Sequence, residues 1–201
     1  MRQRGLLAVA LLTAVALLST GCLFNLFQTA KTVGAGHVAL TLGGGLLSLG
    51  VGEEAEGLGV TPQARLTVGL APGVDLGLQT GGLVPLSDGE VGWLGLVADL
   101  KVSVLDAPDA AAIAVGLGGG YSVEYVGWGV FGQVFLDSNV RVLPLFFAYQ
   151  PGLRLGGGVE LLHHFAVGLK LPVSEQARIL ILADFRPPGL ASYGAAIEVA
   201  F

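Results

Sequence analysis

Apolar side chains recur at every second position along most of the chain after residue 37. Because successive side chains of a β-strand point to opposite faces, this alternation predicts strands with one apolar face. The clearest segments are 38–43, 63–70, 74–79, 94–104, 113–124, 153–161, 165–171, 178–185 and 193–201. Segments 128–136 and 140–149 alternate less cleanly, and Pro144 interrupts the second. The pattern predicts an all-β protein.

The second face of these strands separates a barrel from a soluble sandwich. A sheet face in water is rich in Lys, Glu, Thr and Ser, but here it consists mostly of Gly, Ala and Ser with few charges. Small residues suit the interior of a narrow barrel, and opposite charges inside it can pair across the lumen. The predicted interior charges are Arg65, Asp75, Asp99, Lys101, Glu124, Arg154, Glu160, Lys170, Arg178, Asp184 and Glu198. We predict an antiparallel up-and-down transmembrane β-barrel whose apolar face meets lipid.

Composition supports this class. The chain is 53% hydrophobic and 12% charged, whereas soluble domains are about 25% charged. Its best apolar run beyond the N-terminus, Ala110–Val123, is interrupted by glycines and falls short of the ~18 residues of a spanning helix. Apolar residues are therefore spread over short segments, as in membrane barrels. A net charge of −5 disfavours nucleic acid as a partner.

The number of strands follows from the joints between the segments. Predicted short turns are 71–73, 106–109, 137–139, 162–164 and 174–176, and longer joints are 50–59, 85–91 and 187–192. A literal count gives eleven strands, but single-chain bacterial barrels have an even number. One joint or strand around Val140–Leu162 must therefore be misplaced. We predict ten strands, with eight and twelve as alternatives.

The N-terminus has the pattern of a targeting segment. Arg2 and Arg4 precede the apolar stretch 5–18, so residues 1–21 are predicted to be a signal peptide that is removed. The sequence Leu18-Ser-Thr-Gly-Cys22 resembles the lipobox of bacterial lipoproteins, which implies that Cys22 is diacylated. A lone cysteine excludes an intrachain disulfide and a cysteine-based zinc site. Residues 22–35 are then a lipid-anchored segment and 36–201 the barrel, with no cofactor beyond the covalent lipid.

Two resemblances give the expected location. Tyr193, Ile197, Val199 and Phe201 form an alternating C-terminal strand similar to the final strand of bacterial outer-membrane barrels, which carries the signal for the insertion machinery. In addition, Gln28-Thr-Ala-Lys31 and Val68–Gln79 resemble a family of uncharacterised outer-membrane barrels. The family implies the fold, the bacterial outer membrane and contact with the lipid bilayer, but no substrate.

Candidate chemistry is sparse. Three glycine triplets lack the lysine and following helix of a phosphate-binding loop, and indicate strand bending or close approach. His163 and His164 lie in a predicted turn without the further ligands that a metal needs. His37, the only histidine predicted on a strand, has no identifiable serine partner. We predict neither an enzyme nor a metal site. The acidic run Glu53-Glu54-Ala-Glu56 is predicted to be a solvated loop.

A barrel of ten or fewer strands has an interior largely filled by side chains. The expected role is therefore structural, adhesive or that of a narrow channel for small solutes. One alternative is a barrel that binds lipid or another apolar ligand, which requires a contiguous inward apolar patch. The inward apolar residues are Val97, Phe131, Phe135, Leu180 and Leu182. A second alternative is a soluble periplasmic lipoprotein sandwich tethered by Cys22.

Overall fold

The computed structural model confirms a closed antiparallel barrel of ten strands. It describes residues 26–48, 58–86, 90–107, 110–122, 127–138, 140, 144–155, 160–186 and 190–201. The strands are β1 Val38–Ser48, β2 Leu58–Ala71, β3 Val74–Pro85, β4 Gly92–Asp106, β5 Ala111–Ser122, β6 Gly127–Ser138, β7 Leu145–Arg154, β8 Glu160–Pro172, β9 Ala177–Arg186 and β10 Leu190–Ala200. No helix among these residues is long and apolar enough to cross a membrane.

Each strand pairs with its neighbours in the chain, and β1 pairs with β10 to close the barrel. The two ends of the barrel differ. The end that carries the Pro72-Gly73 turn, together with Val38 and Phe201, is called here the turn end. The opposite end, where residues 49–57 join β1 to β2, is called the loop end. Because the strands run up and down in chain order, the joints alternate between the two ends. The joints after β2, β4, β6 and β8 lie at the turn end, and the joints after β1, β3, β5, β7 and β9 lie at the loop end.

The alternation of the sequence becomes an apolar outer wall and a polar inner wall. Leu66, Leu78 and Ile181 point outward and are 43%, 45% and 44% exposed, whereas Arg65 and Asp75 are 3% and 0% exposed. Three aromatic residues stack on the outside at the loop end: Trp93 packs on Tyr121 at 5.8 Å, and Trp128 meets the same ring edge-on at 6.2 Å. Apolar side chains and these three aromatic residues thus share one surface.

Glycines on the inner wall make room for large side chains of adjacent strands. A Cβ atom on Gly77 would collide with the guanidinium of Arg65, and one on Gly168 would meet the ring of Phe146. The small residues of the second face are therefore explained by crowding inside a narrow barrel.

The predicted turn at residues 162–164 is wrong, and this accounts for the eleventh strand of the literal count. Leu162, His163 and His164 all lie within β8, and the joint before that strand consists of residues 155–159. His164 points into the barrel and is 4% exposed. His37, by contrast, is exposed just before β1 rather than within a strand.

Candidate functional site

The lumen of the barrel is occupied by the chain's own N-terminal segment. Leu26 to Ala30 are all buried, at 0–4% exposure, and residues 26–33 are called here the lumenal segment. The chain then leaves the barrel at the turn end through Gly34 and Gly36, whose φ angles of 90° and 75° favour glycine. There the amide of Gly36 donates to the carbonyl of Gly69 at 2.9 Å, and β1 begins two residues later.

Three aspartates of the inner wall accept hydrogen bonds from main-chain amides of the lumenal segment. The pairs are Leu26 to Asp184 at 3.3 Å, Ala30 to Asp137 at 2.9 Å and Val33 to both oxygens of Asp75 at 3.2 Å. All three carboxylates are buried, at 2% exposure or less. The segment cannot form a strand ladder inside the barrel, so these side chains satisfy buried amides that would otherwise lack partners.

Lys101 holds the carbonyl side of the same segment. Its Nζ donates to the carbonyls of Thr29 and Lys31, both at 3.0 Å, and lies 3.3 Å from Asp75. The ammonium also sits 5.8 Å from the centre of the Phe135 ring. One buried base thus bridges two main-chain carbonyls and one of the anchoring carboxylates.

Three apolar side chains anchor the segment further. Leu26 and Ala30 pack with Phe135 and a group of small inward residues, and the other members are Ala112, Ala114, Ala148 and Ala166. Phe27 packs in a second cluster with Phe146, Leu180, Leu182 and Ala196. Much of the apolar patch that an external ligand would need is therefore covered by the protein itself.

The polar side chains at the middle of the segment are placed differently. Gln28 Oε1 and Thr29 Oγ1 are buried, and neither has a hydrogen-bond partner within the described part of the chain. The barrel wall therefore forms hydrogen bonds with the main chain of the segment and packs against its apolar side chains, but forms none with these two oxygens.

The other charged side chains of the inner wall pair with partners on the adjacent strand or on the next strand but one. Arg65 and Asp99 form a two-pronged pair at 2.6 and 2.8 Å, and Lys170 pairs with Asp137 at 2.7 Å. His164 lies 3.0 Å from Asp184. Arg178 pairs with Glu198 nearer the turn end. Paired charges are expected in this interior, because removing one partner of a buried pair leaves an uncompensated charge.

Comparison with known proteins adds little. No family model matches the chain, and no curated protein matches it significantly. Among solved structures, the N-terminal β-barrel domain of Pseudomonas aeruginosa OprF is similar, with 13% identity, a TM-score of 0.39, and coverage of 84% of this chain and 99% of that one. The fold assignment therefore rests on this chain's own strand pairing.

The residues predicted as interior charges lie in three places. Arg65, Asp75, Asp99, Lys101 and Asp184 are buried in the lumen, and Lys170, Arg178 and Glu198 are partly buried there. Arg154 and Glu160 pair at the loop end, where the Glu160 side chain is 52% exposed. Glu124, Cys22, the signal segment 1–21 and the acidic run at 53–56 lie outside the described residues.

The residues predicted as an insertion signal lie on or directly after the closing strand. Tyr193 and Ile197 face outward from β10, Val199 pairs with Leu40 of β1, and Phe201 is 70% exposed at the turn end. Within the part of the chain that the structure describes, no three His, Cys, Asp or Glu side chains are grouped as metal ligands.

Sequence reasoning missed Asp137, His164 and the lumenal segment. One signal for the segment was available: Leu23, Phe24, Leu26 and Phe27 make the stretch after Cys22 strongly apolar. A tether through water gains nothing from such residues, whereas a segment that packs inside a protein does.

Proposed function

We propose that the protein is a small outer-membrane β-barrel with a structural role, anchored by a lipid on Cys22 and closed by its own lumenal segment. The observation that carries this proposal is the combination of an apolar outer wall with an occupied lumen. A barrel built only to fold in water would not expose a belt of leucines, valines and isoleucines around its strands.

The proposed bilayer location is supported by the distribution of side chains on the outer wall. Outward positions of the described strands carry Leu, Val and Ile along their middle, and the Trp93, Tyr121 and Trp128 row lies at the loop end. Tryptophan and tyrosine favour membrane–water interfaces because their rings are apolar and carry one polar group. An outer-membrane barrel has its short turns in the periplasm and its longer loops outside, so the turn end would be periplasmic.

The proposed structural role is supported by the chain's own occupancy of the lumen, because residues 26–30 are buried against the inner wall. Leu26 packs with Phe135 and Phe27 packs with Phe146, and ion pairs join charged side chains along the inner wall. A lumen plugged in this way does not admit bulk solute. The same clusters leave little room for the lipid or apolar ligand of the alternative function.

The test compares the protein with its Cys22→Ala variant, first in fractionated cells and then after purification. Both are expected to stay in the membrane fraction, to migrate differently in SDS gels with and without boiling, and to give no stepwise conductance in planar bilayers. Release of folded Cys22→Ala protein into the aqueous fraction would contradict a spanning barrel. Steady conductance steps from the unmodified protein would contradict a closed lumen and favour a channel.

A further inference from the structure

We propose that the lumen is a binding site for an extended peptide, filled in cis by residues 26–33 and able to take the same peptide in trans when the cis segment is unseated. This goes beyond the proposed function, because it assigns a ligand class to the inner wall whether or not the barrel is lipidated. The ligand is defined by the spacing of the main-chain amides and carbonyls that the inner wall binds.

The inner wall recognises a peptide backbone from both sides. Asp184, Asp137 and Asp75 accept hydrogen bonds from three amides over eight residues of chain, and Lys101 donates to two carbonyls, one on each side of the Ala30 amide along the chain. These four side chains belong to β9, β6, β3 and β4, so the contacts come from different sides of the barrel. Main-chain contacts of this kind give affinity without dictating sequence, as in other modes of extended-peptide recognition.

Sequence preference comes from the first two positions and the fifth. Leu26 and Phe27 each enter an apolar cluster, and Ala30 is 0% exposed beside Asp137. Within the described residues, the buried oxygens Gln28 Oε1 and Thr29 Oγ1 have no hydrogen-bond partner. The preferred ligand is therefore an extended peptide with two apolar residues, two positions whose side-chain oxygens need no hydrogen bond, and then a small residue.

The tethered segment has a large advantage over a free peptide. A segment joined to β1 by a few residues has an effective concentration of about millimolar, so the intact protein should not bind added peptide. Trans binding becomes measurable only when the cis segment loses contacts. Phe27→Asp removes one apolar anchor, and Ala30→Pro removes the amide that donates to Asp137.

The experiment measures binding of a labelled peptide, Leu-Phe-Gln-Thr-Ala-Lys-Thr-Val, to full-length protein in detergent micelles by fluorescence anisotropy. We expect saturable binding to the Phe27→Asp/Ala30→Pro variant and none to the unmodified protein. Replacing Gln28 and Thr29 of the peptide by Ala should change its affinity less than about threefold. With the N-terminus of the peptide acetylated so that its Leu26 nitrogen is an amide, N-methylation of the amides at the Leu26, Ala30 and Val33 positions should weaken binding at least tenfold.

Gel migration without boiling shows whether each variant barrel is closed, and the milder variant Val33→Pro serves if the double variant does not fold. No saturable binding to a closed variant at peptide concentrations up to about millimolar would overturn the proposal. So would equal binding of the N-methylated and unmodified peptides, because the contacts would then not be main-chain contacts.

Discussion

At the scale of single residues, the packing of the lumen depends on charged side chains. Glycines on neighbouring strands leave the space that these side chains occupy. Arg65 reaches Asp99 with two hydrogen bonds across Gly77, and a Cβ atom at position 77 would occupy the space of the guanidinium. Gly77→Ala should therefore displace Arg65 and lower the free energy of unfolding by about 1–3 kcal/mol. The measurement is urea unfolding of the barrel in micelles or vesicles.

The control for this prediction removes the ion pair itself. In an Arg65→Ala/Asp99→Ala background, the same Gly77→Ala substitution should have little further effect, because no guanidinium remains to be displaced. An equal loss of stability in both backgrounds would show that the backbone, and not the Arg65–Asp99 pair, excludes a side chain at this position.

The inward charges were predictable, but most of their partners were not. A period of two assigns each residue to a face without knowledge of its neighbours, which is why Asp99 and Arg65 could be placed inside. Pairing depends on register and on the closure of the barrel, neither of which is local. His164 was missed because two histidines between apolar runs resemble a solvated turn, whereas β8 brings His164 to Asp184 of β9.

At the scale of strands, the outer wall should respond to charge according to depth. Leu78 lies midway along β3 and faces outward, whereas Val91 lies beside the loop end and is 73% exposed. An arginine on a lipid-facing strand costs about 2–4 kcal/mol at the bilayer midplane and about 0–1 near the interface. Leu78→Arg should therefore destabilise the folded barrel in vesicles, and Val91→Arg should be nearly neutral.

Tryptophan fluorescence provides the measurement, because Trp93 and Trp128 both lie on the outer wall. Folding titrations in urea with lipid vesicles give the two free energies under the same conditions. Similar values for the two variants would mean that the outer wall does not span a bilayer.

The strand that sequence reasoning placed least well is β7. Pro151 and Gly152 look like a turn, yet both lie within β7 and pair with β8. The ladder between β6 and β7 is interrupted beside them, between the pairs Phe131–Gly152 and Val134–Tyr149. A proline lacks the amide that a ladder requires, and such interruptions are where strands tolerate it. Local turn chemistry could not reveal this, because the compensation lies in the neighbouring strand.

At the scale of the whole molecule, the lumenal segment links the barrel to its proposed lipid anchor. Followed backwards from β1, the segment begins at the turn end, where the amide of Val33 donates to Asp75 near the start of β3. It then runs towards the loop end as far as Leu26, whose amide donates to Asp184. Asp184 is seven residues along β9 from Ala177 at the turn end. That distance is about 23 Å along the strand. It corresponds to about 17 Å along the barrel axis when the strands are tilted by about 40° from that axis.

If Cys22 is lipidated and the turn end is periplasmic, the chain before Leu26 is too short to bring Cys22 back to the turn end while the segment is seated. Residues 22–25 lie outside the described residues, but four residues of chain span at most about 14 Å. This is shorter than the path from Leu26 back to the turn end, and the chain would still have to pass around the barrel wall. The loop end is closer, because β9 ends only two residues beyond Asp184.

If the protein is a lipidated outer-membrane barrel with a seated segment, its N-terminus should emerge at the loop end. Lipidation consumes the only native thiol, so Leu23→Cys adds a single reactive one. With a membrane-impermeant maleimide on intact cells, Leu23→Cys should be labelled like Val91→Cys at the loop end. Ala35→Cys at the turn end should react only after permeabilisation, and the unmodified protein should stay unlabelled. Labelling of Leu23→Cys only after permeabilisation, like that of Ala35→Cys, would contradict the prediction and would place the N-terminus on the periplasmic side. The segment would then have to leave the lumen when the protein is anchored.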